Sequence, residues 1–295
     1  MRVNAYILAA DPAWIEASVL SYYDMVQKIV VSYDGKAVSY AGTPLEDLEG
    51  CLARLRAVDR DRKMVYSPGH YGRAEHNPME NETHQRQCAL DEAGKDADWV
   101  LQLDTDEVVV STAILRSCLG EADSGGFAAL EYPMRWLYQR AGKDRFLEIS
   151  GRFWQPHPGF PGPIAVKAGT RLRHARQCDG RAFHVDYRPT RWARGTGAKA
   201  DRCVKPREAI VHFSWVRSEE EMRRKLRGFS HSKDRDWTGE FNRWVRAGAH
   251  PWLTATLTPI RRRGEWKWLR PATARCHHVG RPPVPPPGGH LGERV

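Results

Sequence analysis

Trp99-Val100-Leu101-Gln102-Leu103-Asp104-Thr105-Asp106-Glu107-Val108-Val109 is an apolar run, broken by a single Gln and followed by a D-x-D triplet. Residues 99–103 read as a strand covered on both faces, as in the parallel sheet of an α/β fold. Open α/β sheets bind ligands beyond the carboxyl ends of their strands, which is where Asp104 and Asp106 stand. Two carboxylates at such an edge are costly unless a cation compensates them. The same spacing recurs at Asp59/Asp61, Asp96/Asp98 and Asp234/Asp236, so spacing alone decides nothing. The first and last of these alternate with arginines in polar stretches and the second precedes a strand, which suits solvated charges or turn and cap residues.

Outward from this strand, the first half of the chain repeats strand and helix. Residues 3–10 predict a buried strand, 13–26 a helix, 28–33 a second strand, 46–57 a helix, 63–66 a short strand and 80–92 a helix. A strand, a helix and another strand in succession imply a parallel sheet. After residue 124 the pattern changes to short β-like runs at 127–133 and 164–166, many aromatics and Gly-Pro punctuation at 156–163, and this half reads as looser. A helix is expected over 218–229, with Ser218 as cap and Glu221 as its capping-box partner. The expected organisation is an α/β half over 1–123, a second half with C-terminal helices over 124–275, and a Pro/Gly-rich disordered tail over 276–295.

Composition narrows the function classes. The chain has 295 residues, 41% of them hydrophobic, and six cysteines without a C-x-x-C pair, so neither a zinc ribbon nor a disulfide framework is indicated. No run approaches the roughly 18 apolar residues of a spanning helix, and residues 1–6 lead into a strand without a leader's apolar region, so a cytoplasmic protein is expected. Of the formal charge of +10, +6 lies from Ile260 onward, where eight Lys/Arg face two Glu. A solvated end accounts for that charge, and no nucleic-acid partner is expected. High Arg, Ala, Gly and Pro usage suits a GC-rich bacterial source.

Taken together, residues 6–11 (Tyr-Ile-Leu-Ala-Ala-Asp), 14–23 (Trp-Ile-Glu-Ala-Ser-Val-Leu-Ser-Tyr-Tyr), 30–34 (Val-Val-Ser-Tyr-Asp) and 98–107 resemble a GT-A-type glycosyltransferase of the family 2 kind, over roughly residues 3–110. The resemblance implies a GT-A α/β fold, with a mostly parallel central sheet and helices on both faces. It implies transfer of a sugar from a UDP-, dTDP- or GDP-sugar to a glycan or small-molecule acceptor. A divalent cation, Mn²⁺ or Mg²⁺, would sit at Asp104-Thr105-Asp106, since hard cations take oxygen ligands and complete their shell with diphosphate oxygens. Bound there, it would stabilise the charge that develops on the leaving diphosphate. In similar enzymes the loop after the first strand and an acidic residue ending the second contact base and ribose, which points to Ala9, Ala10, Asp11 and Asp34. The helix before the D-x-D strand lines the donor pocket in such enzymes, and Arg86 is the residue chosen there; a surface salt bridge is its alternative. Arg73, in a Gly-rich loop, is a weaker phosphate candidate.

Many GT-A enzymes supply a late histidine as a further metal ligand. His212, closing the apolar run 209–211, fits that place; His184 is the runner-up, and a satisfied core histidine the plain alternative. For the general base of an inverting transfer, Asp186 is the candidate and Asp179 the second, although neither lies in a recognisable motif. Trp136, Tyr138, Trp154, Trp192 and Trp215 are candidates for stacking on sugar faces, or for core packing. The run 194–199 lacks P-loop spacing and is assigned no role. A metal-dependent nucleotidyltransferase would use similar paired carboxylates, but no Gly/Lys-rich phosphate loop follows the first strand. A nucleic-acid-binding protein would leave Asp104 and Asp106 unexplained.

Overall fold

An eight-stranded sheet forms the centre of the computed structural model, which describes residues 1–189, 199–234, 236–257 and 268–274. Its strands are β1 (Val3–Leu8), β2 (Ile29–Asp34), β3 (Met64–Gly69), β4 (Trp99–Gln102), β6 (Ala129–Glu131), β9 (Ala165–Lys167), β12 (Ala182–Asp186) and β13 (Arg202–Cys203). The spatial order is 13-12-6-9-4-1-2-3. β9 runs antiparallel between β4 and β6, and the other neighbours pair in parallel. The protein therefore has a mixed α/β fold with a large, mostly parallel sheet.

The period of two along each strand sorts side chains onto two faces. Ala5, Ile7, Val31 and Leu101 pack with α1 (Ile15–Tyr22), α2 (Leu48–Val58) and α4 (Thr112–Ser124). Tyr6, Val30 and Val100 face the other way, onto Ala89, Leu90 and Ala93 of α3 (Pro78–Gly94). α3 starts at a full capping box, with Asn77 and Glu80 bonded reciprocally and Pro78 in the first turn. From β1 the chain moves to β2 and β3 on one side and returns to β4 on the other. The switch point, where such sheets hold their ligands, thus lies beyond the ends of β1 and β4.

The second half is more regular than its punctuation implies. A five-stranded sheet, in the order 15-8-7-14-5, unites β5 (Glu107–Val108), β7 (Met134–Arg140), β8 (Arg145–Ser150), β14 (Ile210–His212) and β15 (Trp268–Thr273). It packs on α5 (Glu219–Gly228) and α6 (Thr238–Ala249) around Trp215, Met222, Phe241 and Trp244. The Trp244 indole N–H donates to the carbonyls of Tyr138 and Trp215. A short helix, α7 (Pro251–Leu257), and the hairpin β10 (Leu172–His174) and β11 (Gln177–Cys178) complete the described elements. The expected looseness is corrected: short strands from distant parts of the chain build a layer of their own. β6, β9, β12 and β13, all from beyond residue 123, complete the large sheet.

All the elements expected in the first half are present, with ends shifted by a few residues, and α5 starts at the Ser218–Glu221 capping box. α4 went unread, although Ser111 caps it and Leu115, Cys118, Leu119 and Ala122 form its buried stripe. The five described cysteines are free thiols. Cys276, Trp192, most of the run 194–199 and the tail 276–295 lie outside the described residues. No helix among the described residues is long and apolar enough to cross a membrane.

Candidate active site

A cavity of about 940 Å³ opens at the switch point. Ala9, Ala10 and Asp11 after β1, Asp34 at the end of β2, Arg86 of α3 and Asp104, Thr105 and Asp106 after β4 all line it. Trp136 and Trp215 stand on its wall, as do His212 of β14, Arg176, Arg217 and Lys225 of α5. The register that pairs His212 with Glu107 carries the histidine to the D-x-D loop.

Two charge clusters meet there. In the first, Arg86 Nε donates to Glu82 at 2.7 Å and its Nη2 to Asp104 Oδ1 at 2.7 Å. Arg176 Nη2 bonds Asp104 Oδ2 at 2.5 Å and Glu107 Oε1 at 2.8 Å. Three carboxylates thus face two guanidiniums, a net charge of about −1. In the second cluster, Arg217 bridges Asp11 at 2.7 Å and Asp106 at 2.8 Å. Lys225 Nζ lies 3.1 Å from the same Asp106 oxygen, and the other oxygen of Asp106 is 3.1 Å from His212 Nε2. Here two carboxylates balance two cations.

Burial alone would raise these carboxyl groups, but their partners overcome it. Burial is opposed at Asp104 by Arg176 and Arg86, which hold it at about 2. At Asp106 Lys225, His212 and Arg217 oppose it and carry the group well below the carboxylate range. At Asp11, Arg217 and Lys225 win against burial. Lys225 itself is pushed down, by burial first and then by Arg217, against the pull of Asp106. A carboxyl group with a depressed folded-state pKa stabilises the fold above its unfolded pKa of about 4 and loses that stabilisation as pH falls through the folded value. The urea midpoint is therefore expected to hold above about pH 5 and to fall steadily from there to pH 2. A midpoint that stayed level over this window would contradict the assigned ion pairs.

Asp34 behaves differently from a free ligand-binding acid. Its Oδ1 accepts from the backbone N–H groups of Lys36 and Val38, and its Oδ2 from those of Tyr71 and Gly72. These four bonds outweigh burial and lower its pKa. Its carboxylate ties two loops together at the cavity edge. Arg86 is 4% exposed, which replaces the surface salt-bridge alternative with a buried guanidinium. Its Nη1 has no hydrogen-bond partner among the described residues. Arg73 bonds Asn81 and does not line the cavity.

The two general-base candidates, Asp186 and Asp179, lie outside the cavity. Asp186 ends β12, three strands from β4, which is about 14 Å at normal sheet spacing. It does not line the cavity, and its carboxylate accepts from the Tyr187 N–H. Asp179 pairs with Arg173 on the exposed β10–β11 hairpin. His184 is also engaged away from the cavity, its Nδ1 2.7 Å from Glu131. Tyr138 lies in the second core, and Trp154 donates to the Ala255 carbonyl outside the cavity.

The three expected metal ligands do not converge: among the described residues no three His, Cys, Asp or Glu side chains gather as an ion cage. Both Asp104 oxygens are taken by arginines. The fit is met by a smaller set, Asp106 Oδ1 and His212 Nε2, whose 3.1 Å separation suits two ligands each about 2.1 Å from a shared ion. As the structure stands Nε2–H donates to Asp106, and binding a cation through Nε2 requires the proton to sit on Nδ1, which is buried and has no partner among the described residues. One carboxylate and one imidazole make an open site, of the kind completed by substrate phosphates.

Arg176, Arg217, Lys225 and Glu107 were missed. Arg176 follows Ala175, whose φ of 49° is left-handed for a residue with a side chain, and whose N–H is held by Thr83 Oγ1 at 2.8 Å. That strained turn delivers the guanidinium to the site. Arg217 precedes the α5 cap, and Lys225 lies one turn after Glu221 on the cavity side of α5.

No protein-family model and no curated protein sequence matches the chain. Among solved structures, it is similar to 4-diphosphocytidyl-2C-methyl-D-erythritol synthase from Anaerococcus prevotii at a TM-score of 0.33 and 11% identity, covering 57% of this chain and 70% of that one. It is also similar to mannose-6-phosphate isomerase from Helicobacter pylori at a TM-score of 0.32 and 10% identity, over 57% of this chain and 72% of that one. Neither is near enough to assign an activity.

Proposed function

We propose that the protein is a GT-A-type glycosyltransferase that binds a nucleoside-diphosphate sugar in the switch-point cavity and transfers the sugar to an acceptor hydroxyl. The observation that carries this reading is the Asp106–His212 pair beside two buried charge clusters, at the sheet edge where a diphosphate would lie. The volume of about 940 Å³ is ample for a sugar nucleotide.

Charge balance favours a divalent cation with the donor. The clusters together are about one charge negative, and a sugar nucleotide adds about two more. Each uncompensated charge pair near 4 Å costs about 4 kcal/mol at an effective dielectric of 20. Mn²⁺ or Mg²⁺ held by Asp106 and His212 would offset the diphosphate and act as a Lewis acid on the leaving group. Imidazole in the donor set favours Mn²⁺ over Mg²⁺.

The chain's own residues have separate tasks. Arg217 and Lys225 keep Asp106 ionised, and Arg217 ties the β1 loop to the D-x-D loop through Asp11. Arg86 supplies Nη1 as a donor toward a phosphate or sugar oxygen. Ala9 and Ala10 leave room for the nucleoside, while Asp34 fixes the loops around it. Trp136 and Trp215 offer aromatic faces for a sugar.

A thermal-shift panel of UDP, GDP, dTDP, CDP and ADP, each with and without Mn²⁺, tests this reading. A native-state ligand at 100 times its Kd stabilises by about 2.7 kcal/mol. One base is expected to raise the melting temperature by several degrees, and only when Mn²⁺ is present. A flat response across the panel would sink the proposal.

A further inference from the structure

Of the cavity carboxylates, Asp11, Glu82, Asp104 and Asp106 are bound to cations and Asp34 to backbone N–H groups. The structure offers a different group at the cavity wall. After α5 the chain turns through Phe229, Ser230 and His231, all three of which line the cavity. His231 Nδ1 is 2.6 Å from Asp234 Oδ2. The carboxylate accepts, so Nδ1–H donates, and Nε2 of the neutral ring carries the lone pair. No hydrogen bond to Nε2 is present among the described residues. The His231 carbonyl accepts from the Asp234 N–H at 3.1 Å and from the Trp237 indole at 3.0 Å. Trp237 packs on Phe229 and Trp215, and so connects this turn to the second core. The imidazole is fixed from its backbone and from one nitrogen, and its side chain is 49% exposed.

We propose that His231, oriented by Asp234, is the general base that accepts the proton of the attacking hydroxyl. This rests on the glycosyl-transfer reading and adds the catalytic group that reading lacks. The acceptor oxygen forms the new bond to the anomeric carbon with its own electron pair, and its proton passes to His231 Nε2. The bond from the anomeric carbon to the diphosphate oxygen breaks, and its pair leaves with the nucleoside diphosphate. A single displacement of this kind inverts the anomeric centre. Asp234 is a positioning residue, holding the tautomer in which Nε2 is free. The last of the other D-x-D spacings in the sequence, Asp234/Asp236, thereby acquires a role through its histidine neighbour.

The test uses the whole protein with Mn²⁺ and UDP-glucose, GDP-mannose or dTDP-glucose, with water as acceptor and NMR detection of the released anomer. A well-placed base contributes about 10²- to 10⁴-fold. His231→Ala is expected to lower turnover by at least about 100-fold, to leave Mn²⁺-dependent diphosphate binding intact, and to be rescued by added imidazole. The half-exposed position leaves room for that imidazole, and a purely structural histidine would show no rescue. Asp234→Asn is expected to lower turnover with donor KM unchanged. Retention of the anomeric configuration, turnover of His231→Ala close to wild type, or a loss that imidazole does not restore while the diphosphate still binds would overturn the assignment. Wild-type protein that binds no diphosphate would instead remove the underlying glycosyl-transfer reading.

Discussion

Asp106→Asn is expected to abolish Mn²⁺-dependent stabilisation by the nucleoside diphosphate and to lower kcat/KM by about 10²- to 10³-fold, the scale on which one electrostatic contact to a developing charge is felt. The side chain keeps its shape and loses its charge. Asp106 is 4% exposed and is shared by His212, Arg217 and Lys225. Arg217 keeps Asp11, and Lys225 keeps the Ser214 carbonyl and hydroxyl, so the fold survives. The cation site loses its carboxylate and the second cluster becomes one charge positive. Binding of the free diphosphate without Mn²⁺ is therefore expected to hold or to tighten slightly, while the Mn²⁺ increment disappears. Calorimetric titration with and without Mn²⁺ separates the two effects; an unchanged increment would mean that Asp106 is no ligand.

Arg176→Met should have the largest effect on stability. Glu107 is fully buried and Arg176 is 3% exposed. Removing one partner of such a pair leaves an uncompensated charge and costs about 3–5 kcal/mol. At about 2–4 °C per kcal/mol for a domain of this size, the melting temperature should fall by roughly 6–20 °C. The double variant Arg176→Met/Glu107→Gln is expected to recover a substantial part of the loss, because the orphaned charge is gone while an amide can still accept from the Asp104 N–H. Additive losses in the double variant would assign Arg176 a packing role and not an electrostatic one. Asp104, left with Arg86 alone, should titrate higher than in the wild type, which the acid limb of the urea series detects.

Much of the fold was legible because its first half is written in local patterns. β1, β2 and β4 are short, largely apolar runs, and the helices between them carry stripes or caps that one sequence displays. The place of Asp104 and Asp106 followed from a strand end and a topological rule, and the short apolar run before His212 announced a strand although not its partner. What stayed hidden depends on pairs far apart in the chain. Arg217 and Asp11 are 206 positions apart, Arg176 and Glu107 69. Nothing local distinguishes such an arginine from a solvated one; a surface salt bridge stood as the alternative reading of Arg86 for the same reason. Asp186 was named as a base candidate without a motif, and strand order, which places β9 and β6 between it and β4, is not written in local periodicity. His231 escaped notice because its aspartate sat inside a D-x-D repeat that read as solvated charge.

The most direct measurement is ³¹P NMR of the purified protein with Mn²⁺ and a sugar nucleotide of the base selected by the thermal panel, beside a parallel sample with the matching nucleoside triphosphate and a sugar phosphate. Glycosyl transfer to water or to an added acceptor predicts the slow appearance of nucleoside diphosphate in the first sample and no pyrophosphate in the second. Pyrophosphate release from the triphosphate, with the sugar nucleotide left intact, would contradict the glycosyltransferase account and assign the same cavity to nucleotidyl transfer.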